Sequence, residues 1–272
     1  MTTATRAVVL ARGLGRRMRS PDAGASLTGA QQRAADAGMK AMMPIAGRPF
    51  LDFVLSAIAD AGIPQVGLVV APDHQPLSEY YETTVPPSRI ALDFIVQPQP
   101  LGTADAVLAA EGWSAGQPFL VMNGDNLYPA GVLADVAALD EPGLAGFDPD
   151  DLVRSGNIEP SRVRAFALIE TDAGGRLTRI IEKPSPEEAV RLAGRARISM
   201  NCWRFDSRIF DACREVPRSL RGEFELPVAV GLAVSRGVPF RVVPARGPVL
   251  DLSQRADAAE ISRCLAGLTP QP

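Results

Sequence analysis

The chain has 272 residues, of which 46% are hydrophobic, and a formal net charge of −3. This length and composition suffice for one large domain with a full hydrophobic core. The slightly acidic balance, with a pI near 5.4, argues against a nucleic-acid-binding surface, and no nucleic-acid partner is expected. No apolar stretch approaches the length of a membrane span, and the apolar run near the N-terminus is too short for a secretory signal. We therefore expect no membrane partner.

The cysteine and histidine content argues against a metal site built from these residues. Cys202, Cys213 and Cys264 are odd in number and lack the spacing of metal ligands. We interpret them as buried or free thiols in a reducing cytoplasm, which predicts a cytoplasmic protein. His74 is the single histidine, and alone it cannot form a histidine-based metal site.

The first half of the chain alternates short apolar runs with helical patterns. Strands are predicted at residues 8–11, 65–71, 90–97 and 118–125, and helices at residues 48–61 and 102–113. This alternation predicts an α/β fold, a Rossmann-like three-layer sandwich whose mostly parallel sheet carries helices on both faces. Ligands of such sheets bind at the carboxyl ends of the strands. Residues 12–17, 97–102 and 123–126 should therefore converge on one crevice.

The second half of the chain is less regular. A β-hairpin is predicted at residues 162–184 and a strand at residues 198–206. A strand pair is predicted at residues 239–247, and helices at residues 185–195, 207–216, 224–237 and 255–268. Ser185 and Glu188 form the capping-box pattern at the start of one helix. Residues 20–38 lack apolar periodicity, and we interpret them as a flexible insertion with a helix at residues 30–37.

The segment "RAVVLARGLGRRMR", residues 6–19, has the composition of a strand that leads into a phosphate-binding loop. As a dinucleotide fingerprint it fails, because Met18 stands where the third glycine belongs. Asp73, near the end of the second strand, follows a proline and is a poor candidate for a ribose ligand. Backbone N–H groups around Gly13 and Gly15 can still contact phosphate oxygens, and the adjacent arginines can neutralise a polyphosphate. An NAD(P)-dependent oxidoreductase remains an unfavoured alternative.

Further polar signals follow at the ends of later strands. Lys40 lies just before Pro44, Gln97 ends a strand, and Gly102 opens a helix. Asp125, in "NGDN", follows a strand at a position where a carboxylate can hold Mg²⁺ beside a phosphate. Each residue alone has an ordinary structural explanation as a surface, turn or capping residue. Their placement on successive strand ends favours one shared site.

The chain carries an ordered set of motifs: "GLGRRM", "MKAMMPI", "QPQPLGTADA", "NGDN", "IIEKP", "RGEFEL" and "GPVLDLS". Over nearly its whole length it resembles the sugar-1-phosphate nucleotidylyltransferases, the nucleotide-sugar pyrophosphorylases. The resemblance implies one GT-A-like nucleotidyltransferase domain over residues 1–272, with a nucleotide-binding half at 1–130. It also implies a sugar-phosphate-binding half at 131–254, which contains a small β-rich subregion, and a C-terminal helix and tail at 255–272.

The resemblance also implies a reaction, in which a sugar 1-phosphate oxygen attacks the α-phosphorus of an NTP and releases pyrophosphate. It assigns catalytic roles to Arg17, Lys40 and Asp125, and a Mg²⁺ site to Asp125 and Asp251. The implied nucleotide-binding residues are Leu10, Ala11, Gly13, Leu14, Gly15, Arg16, Gln97, Gly102, Thr103, Asn123 and Gly124. The implied sugar-phosphate-binding residues are Glu182, Lys183, Ala167, Asn201 and Glu225. A homo-oligomer is a further expectation from the family.

The sequence departs from the family pattern at several positions. Arg12 and Arg16 stand where glycine and threonine are usual, and Ala167 and Asn201 each replace a glycine. Val228 replaces an expected aspartate. The departures suggest an atypical sugar or pseudo-sugar, and they leave open a catalytically silent, nucleotide-binding regulator.

The sequence carries a weak indication of the base. The side-chain amide of Gln97 can both donate and accept hydrogen bonds. It suits the imide edge of uracil or thymine and also guanine, and we lean to UTP or dTTP.

Overall fold

A computed structural model describes residues 3–13, 15–20, 27–164, 166–182, 184–192, 194 and 196–272. Its strands are β1 (Arg6–Leu10), β2 (Pro44–Ile45), β3 (Arg48–Pro49), β4 (Gln65–Val70), β5 (Ala91–Val96), β6 (Phe119–Asn123), β7 (Asn126–Leu127), β8 (Gly143–Phe147), β9 (Ala167–Thr171), β10 (Leu177–Ile181), β11 (Arg197–Phe205), β12 (Arg241–Ala245) and β13 (Leu250–Asp251). Its helices are α1 (Arg16–Arg19), α2 (Gly29–Ala37), α3 (Phe50–Asp60), α4 (Gln75–Glu79), α5 (Thr103–Ala109), α6 (Glu111–Ser114), α7 (Ala130–Ala137), α8 (Pro149–Ser155), α9 (Pro160–Val163), α10 (Pro186–Arg191), α11 (Arg208–Glu215), α12 (Leu226–Ser235) and α13 (Asp257–Cys264).

The parallel part of the central sheet has the strand order β6-β1-β4-β5. β1 pairs in parallel with both β4 and β6, and β4 pairs in parallel with β5. The strands that the alternating pattern predicts in the first half are therefore present and parallel. Their carboxyl ends, at Leu10, Val70, Val96 and Asn123, lie along the same edge of the sheet.

β11 joins this parallel part to the rest of the sheet. One side of β11 pairs antiparallel with β9 near its start and with β6 near its end, and β8 pairs along the other side. The register shifts between Ser199 and Trp203, and Asn201 within this bulge has a φ of 59°. β9 and β10 form an antiparallel hairpin, which confirms the one predicted in this region. The result is a mixed, mostly parallel sheet of the predicted class.

Helices cover both faces of the sheet, as the three-layer prediction requires. On one face, α3 contributes Phe50, Leu51 and Val54 to the core, and all three are at most 1% exposed. On the other face, α11 and α12 contribute Phe210 and Val230 to a second apolar layer. Burial of apolar surface stabilises such layers by roughly 25 cal/mol per Å², so both helical layers are needed to hold the sheet. Within the described residues, no helix is long and apolar enough to cross a membrane.

Several parts of the fold differ from the sequence predictions, and α4, α7 and α8 were not among the predicted elements. β8, "GLAGF", was not expected because its two glycines weaken the strand pattern, yet a Cβ on Gly143 would lie 2.5 Å from the carbonyl oxygen of Arg241. The predicted strand pair at 239–247 is the single strand β12, which pairs with β8. The predicted helix at 102–113 is divided into α5 and α6.

Two helices start at capping boxes, one of which was predicted from the sequence. α2 begins at Gly29 after a capping box between Thr28 and Gln31, so the helix predicted within the insertion is present. α10 follows the capping box of Ser185 and Glu188. Part of the predicted insertion, residues 21–26, lies outside the described residues.

A buried aspartate stabilises the elements that follow Lys40. Asp52 of α3 is 0% exposed and accepts hydrogen bonds from the hydroxyls of Tyr80 (2.9 Å) and Tyr81 (2.8 Å). Arg48 of β3 forms an ion pair with the same carboxylate at 2.6 Å. Burial and the neighbouring Asp52 carboxylate raise the pKa of Tyr81 well above its usual value. Tyr81 therefore stays protonated and keeps donating to Asp52.

Replacing Asp52 by alanine is expected to lower the free energy of unfolding by about 2–4 kcal/mol, because three donors lose a buried acceptor. Urea unfolding followed by circular dichroism measures this change. The matched control is Asp60→Ala on the same helix, whose ion pair with Arg89 is half-exposed and should be worth at most about 1 kcal/mol. Equal losses in the two variants would contradict a structural role for the buried network.

Candidate active site

The carboxyl ends of the parallel strands open into a cavity of about 590 Å³. Residues of β1, β4, the β5–α5 connection and the β6–β7 connection line it, as ligand binding at the ends of parallel strands predicts. The sequence-predicted residues among them are Leu10, Ala11, Gly13, Gly15, Lys40, Gln97, Gly102, Thr103, Asn123, Gly124 and Asp125. Residues from three separate predicted strand ends thus meet in one cleft.

Four predicted residues of the first loop and of the "EKP" motif stand apart from this set. Leu14 and Lys183 lie outside the described residues, and only the backbone of Arg16, in α1, is described. Arg17 lies on α1 with an exposed side chain. It is not among the described residues that line the cavity.

The loop around Gly15 packs against the end of α2. Gly15 has a φ of 58°, and a Cβ there would lie 2.7 Å from the carbonyl oxygen of Gly38. Glycine is therefore required by both conformation and space. Arg19 donates to the carbonyl oxygen of Ala37 at 2.9 Å. The second half of the predicted insertion is thus a structural support of the loop.

Arg255 connects the same loop to the segment after Asp251. The Arg255 side chain is 6% exposed, and its Nε donates to the carbonyl oxygen of Met18 at 2.7 Å. Its Nη2 pairs with Asp36 of α2, also at 2.7 Å. α1 has four residues and is too short to be stable in isolation. Its position therefore depends on these tertiary contacts.

Arg12 spans the cavity from the end of β1 to the segment after β5. Its Nε donates to the carbonyl oxygen of Gln97 at 2.6 Å, and its Nη2 donates to that of Pro98 at 3.1 Å. The guanidinium binds backbone carbonyls here, so it holds the two loops at a fixed separation.

If the cleft binds the NTP that the sequence resemblance implies, loss of this connection in Arg12→Ala should raise the KM for NTP about tenfold, since one charge-assisted hydrogen bond is worth about 1.5 kcal/mol. Steady-state kinetics with varied NTP measure the effect, and Arg16→Ala gives the parallel value for the neighbouring arginine. An unchanged KM in both variants would show that neither arginine contributes to NTP binding.

Lys40 and Asp125 form an ion pair at the floor of the cleft. Nζ of Lys40 lies 2.6 Å from Oδ2 of Asp125, and the side chains are 17% and 30% exposed. The two residues are 85 positions apart in the sequence. Folding brings the lysine that is predicted to bind phosphates into contact with the aspartate that is predicted to hold a metal ion. Both groups remain accessible to a ligand in the cavity.

Asp251 lies beside Asp125 in a smaller adjoining cavity of about 90 Å³. Oδ2 of Asp251 pairs with Arg162 at 2.5 Å, and Oδ1 accepts a hydrogen bond from Ser253 at 2.8 Å. Burial and the negative charge of Asp125 raise the pKa of Asp251 to about 6, although Arg162 acts in the opposite direction.

This arrangement fits a divalent cation. Two neighbouring carboxylates repel each other, and a cation bound between them offsets this repulsion. Hard divalent cations also prefer oxygen ligands. Asp125, Asp251 and Asn123 line the small cavity. Within the described ranges, no three acidic, histidine or cysteine side chains form a metal cluster. A cation here would be bound by the two aspartates together with oxygen atoms of molecules bound in the cleft.

Of the predicted sugar-phosphate residues that the structure describes, Asn201 lines a cavity, whereas Ala167, Glu182 and Glu225 line neither of the two. Asn201 lines the small cavity, and its positive φ explains why asparagine, rather than a branched side chain, replaces the usual glycine. Ala167 is buried at the start of β9, and Glu182 follows β10. Glu225 immediately precedes α12 and pairs with Arg221 at 3.1 Å, but neither cavity has Glu225 among its described lining residues.

Several residues of the site were missed by the sequence predictions. Arg221 and Glu223 line the large cavity, and the quoted motif "RGEFEL" already contained both. Arg162 and Arg255 reach the site from positions with no motif around them. No sequence signal of a single chain could have placed them there, because their partners are 89 or more residues away.

Comparison with known proteins gives a consistent result. Residues 35–243 match the family described as Nucleotidyl transferase. A glucose-1-phosphate thymidylyltransferase of Streptomyces antibioticus is 29% identical over 238 residues, which cover 82% of this chain and 59% of that protein. A UTP–glucose-1-phosphate uridylyltransferase of Haloferax volcanii, AglF, is 26% identical, over 85% of this chain and 90% of that protein.

Other curated relatives are matched over a smaller share of their length. The chain spans 41% of the bifunctional protein GlmU of Methanococcus vannielii, at 27% identity. Among solved structures, UDP-glucose pyrophosphorylase complexed with UDP-glucose superposes with a TM-score of 0.74 at 17% identity, over 97% of this chain and 98% of that one. The two proteins therefore share the same overall fold.

Proposed function

The chain belongs to the nucleotidyl transferase family, and from this premise we propose that it is a sugar-1-phosphate nucleotidylyltransferase. It would transfer a nucleotidyl group from an NTP to a sugar 1-phosphate or pseudo-sugar phosphate, and release pyrophosphate. The observation that carries the proposal is the convergence of Gly15, Lys40 and Asp125 on one cleft at the carboxyl edge of the sheet.

The lysine content of the chain supports this proposal. The chain has 28 lysine and arginine residues in total, and only Lys40 and Lys183 are lysines. Both lysines fall in motifs that the resemblance assigns to phosphate binding. An ammonium is a compact point charge, and arginine replaces it poorly where one phosphate oxygen must be approached closely. The presence of lysine at these two positions in an arginine-rich chain favours a specific role in phosphate binding.

The proposed mechanism rests on positioning and charge. Backbone N–H groups around Gly13 and Gly15 bind the triphosphate, and Lys40 neutralises its oxygens as negative charge moves to the leaving pyrophosphate. Arg17 would reach the same phosphates from α1 once the NTP is bound. The sugar phosphate oxygen attacks in line, and no protein nucleophile is required.

Asp125 and Asp251 would hold Mg²⁺ in this proposal. The ion supplies charge neutralisation on the α-phosphate and a template for the two substrates. Arg162 and Ser253 orient the Asp251 carboxylate toward the small cavity. Asn201 and Phe166, which line the same cavity, would contact the sugar in this proposal.

The identity of the substrates is a further part of the proposal. Relatives named for dTTP and UTP chemistry and the position of Gln97 favour UTP or dTTP. The named glucose 1-phosphate enzymes make glucose 1-phosphate the first sugar to test. A cytoplasmic location and a homo-oligomer remain proposals of the same kind.

The experiment is a matrix of NTPs against sugar 1-phosphates with Mg²⁺, read as pyrophosphate release. We expect one pairing to release pyrophosphate, and only when both the NTP and the sugar 1-phosphate are present. A catalytically silent regulator is the second candidate, because both proposed metal carboxylates are already paired with cations of the chain. NTP binding without pyrophosphate release under any pairing would favour that candidate and contradict catalysis.

A further inference from the structure

The side-chain amide of Gln97 is held in one orientation by two acceptors. Gln97 follows β5 and is 3% exposed. Its Nε2 donates to Oδ2 of Asp105 at 2.6 Å and to the carbonyl oxygen of Gly102 at 3.1 Å. Asp105 lies in the first turn of α5, behind Gln97 and outside the set of described residues that line the cavity.

These contacts determine which end of the amide faces a ligand. A carboxylate and a backbone carbonyl accept hydrogen bonds and cannot donate them, so both select the NH₂ end of the amide. Oε1 of Gln97 has no hydrogen-bond donor among the described residues. It is also not among the buried side-chain atoms that lack a partner, so it is accessible. Gln97 lines the large cavity, and Oε1 is therefore the atom it presents there.

We propose that Asp105 is a specificity-determining residue that acts through Gln97: it holds the amide so that the nucleotide site offers an acceptor to the base, and thereby selects uracil or thymine over cytosine. This inference rests on the proposed function for the presence of an NTP in the cleft. Asp105 is a positioning residue, since it does not contact the base.

The chemistry of the bases gives the selection its direction. N3 of uracil or thymine carries a hydrogen and donates to Oε1, whereas N3 of cytosine is an acceptor and would face the oxygen lone pairs. A free glutamine amide could rotate by 180° and satisfy either base. The Asp105 carboxylate opposes that rotation, because Oε1 would then lie against a second negatively charged acceptor. A site that hydrogen-bonds one substrate group discriminates strongly against the analogue that lacks it.

The test compares the binding of UTP and CTP, by isothermal titration calorimetry with Mg²⁺, in the full chain and in Asp105→Asn. The wild-type chain is expected to bind UTP at least about tenfold more tightly than CTP. The asparagine amide of the variant could donate as well as accept, so Gln97 could rotate. The UTP/CTP ratio is expected to fall to within about threefold in this variant, mainly through tighter CTP binding.

Two further variants separate this role from a general structural one. Asp105→Glu keeps an acceptor and should restore a preference for UTP. Asp93→Asn alters an exposed aspartate of β5 that accepts from Trp113, and should leave the ratio unchanged. If Asp105→Asn weakens both nucleotides equally, or if the wild-type chain does not distinguish UTP from CTP, the proposal is overturned.

The binding assay also separates this inference from the proposed function. A UTP preference that is lost in Asp105→Asn supports the inference even if no pairing releases pyrophosphate, which would count against catalysis alone. If the chain binds neither nucleotide, both the inference and the proposed function are contradicted. Pyrophosphate release with an unchanged UTP/CTP ratio in the variant would contradict the inference alone.

Discussion

Asp125→Ala is expected to lower the rate of nucleotidyl transfer by at least about a thousandfold while the fold is retained. Asp125 stands at the meeting point of the two cavities and pairs with Lys40. Its removal takes away a carboxylate proposed to hold the metal and the group that orients the lysine. Pyrophosphate release under saturating substrates measures the loss.

The fold should survive this change because Asp125 is accessible and follows β6 rather than packing in the core. Circular dichroism and a thermal unfolding curve check that expectation. The matched control is Asp135→Ala, an exposed aspartate on α7, which should keep wild-type turnover. An Asp125→Ala variant that turns over at near wild-type rate would exclude this residue as a metal ligand.

Lys40→Met is expected to lower kcat/KM by about a hundredfold to a thousandfold, because the leaving pyrophosphate loses its neutralising charge. Lys40→Arg should recover little of this loss, since the planar guanidinium does not fit the 2.6 Å contact with Asp125 in the same place. Arg33→Met on the exposed face of α2 is the matched control and should have little effect.

The scarcity of lysine allows a second measurement of the same prediction. With two lysines in the chain, an amine-reactive acylating reagent modifies few sites, and mass spectrometry can quantify each. Mg²⁺·NTP is expected to protect Lys40 from modification. Modification of Lys40 at the same rate with and without NTP would contradict its contact with the phosphates.

Because Lys40 and Asp125 are in contact, their losses should not add. The Lys40→Met/Asp125→Ala double variant is expected to be about as inactive as Asp125→Ala alone, as groups that act together usually are. Fully additive losses would indicate two independent contributions, and would contradict the ion pair as a functional unit.

The elements with a clear periodicity were predicted correctly from the sequence, and those governed by distant contacts were not. The strands β1, β4, β5 and β6 are short, predominantly apolar runs between helical patterns, which is typical of a parallel sheet. β8 carries two glycines, and distant contacts explain them: a Cβ on Gly143 would meet the Leu139 side chain and the Arg241 backbone, and one on Gly146 would meet the Val242 side chain. The alternation of strands and helices therefore sufficed for the fold class, but not for the mixed part of the sheet.

The candidate site shows the same division. Residues at strand ends, such as Gln97 and Asp125, could be placed in one cleft because the topology of a parallel sheet requires it. The partners that hold them in position could not. Asp105 fixes Gln97 and Arg162 holds Asp251, yet both look like ordinary surface charges in the sequence. The role of Arg12 also changed, from a phosphate contact to a connection between two loops.

In the proposed reaction, a sugar phosphate oxygen attacks the α-phosphorus of the NTP. The most direct test uses the active pairing from the substrate matrix, with ¹⁸O in the three non-bridging oxygens of the sugar 1-phosphate and mass spectrometry of the products. If the sugar phosphate attacks, the nucleotide sugar retains all three labelled oxygens and the pyrophosphate contains none. Labelled pyrophosphate, or a nucleotide sugar without the label, would contradict it.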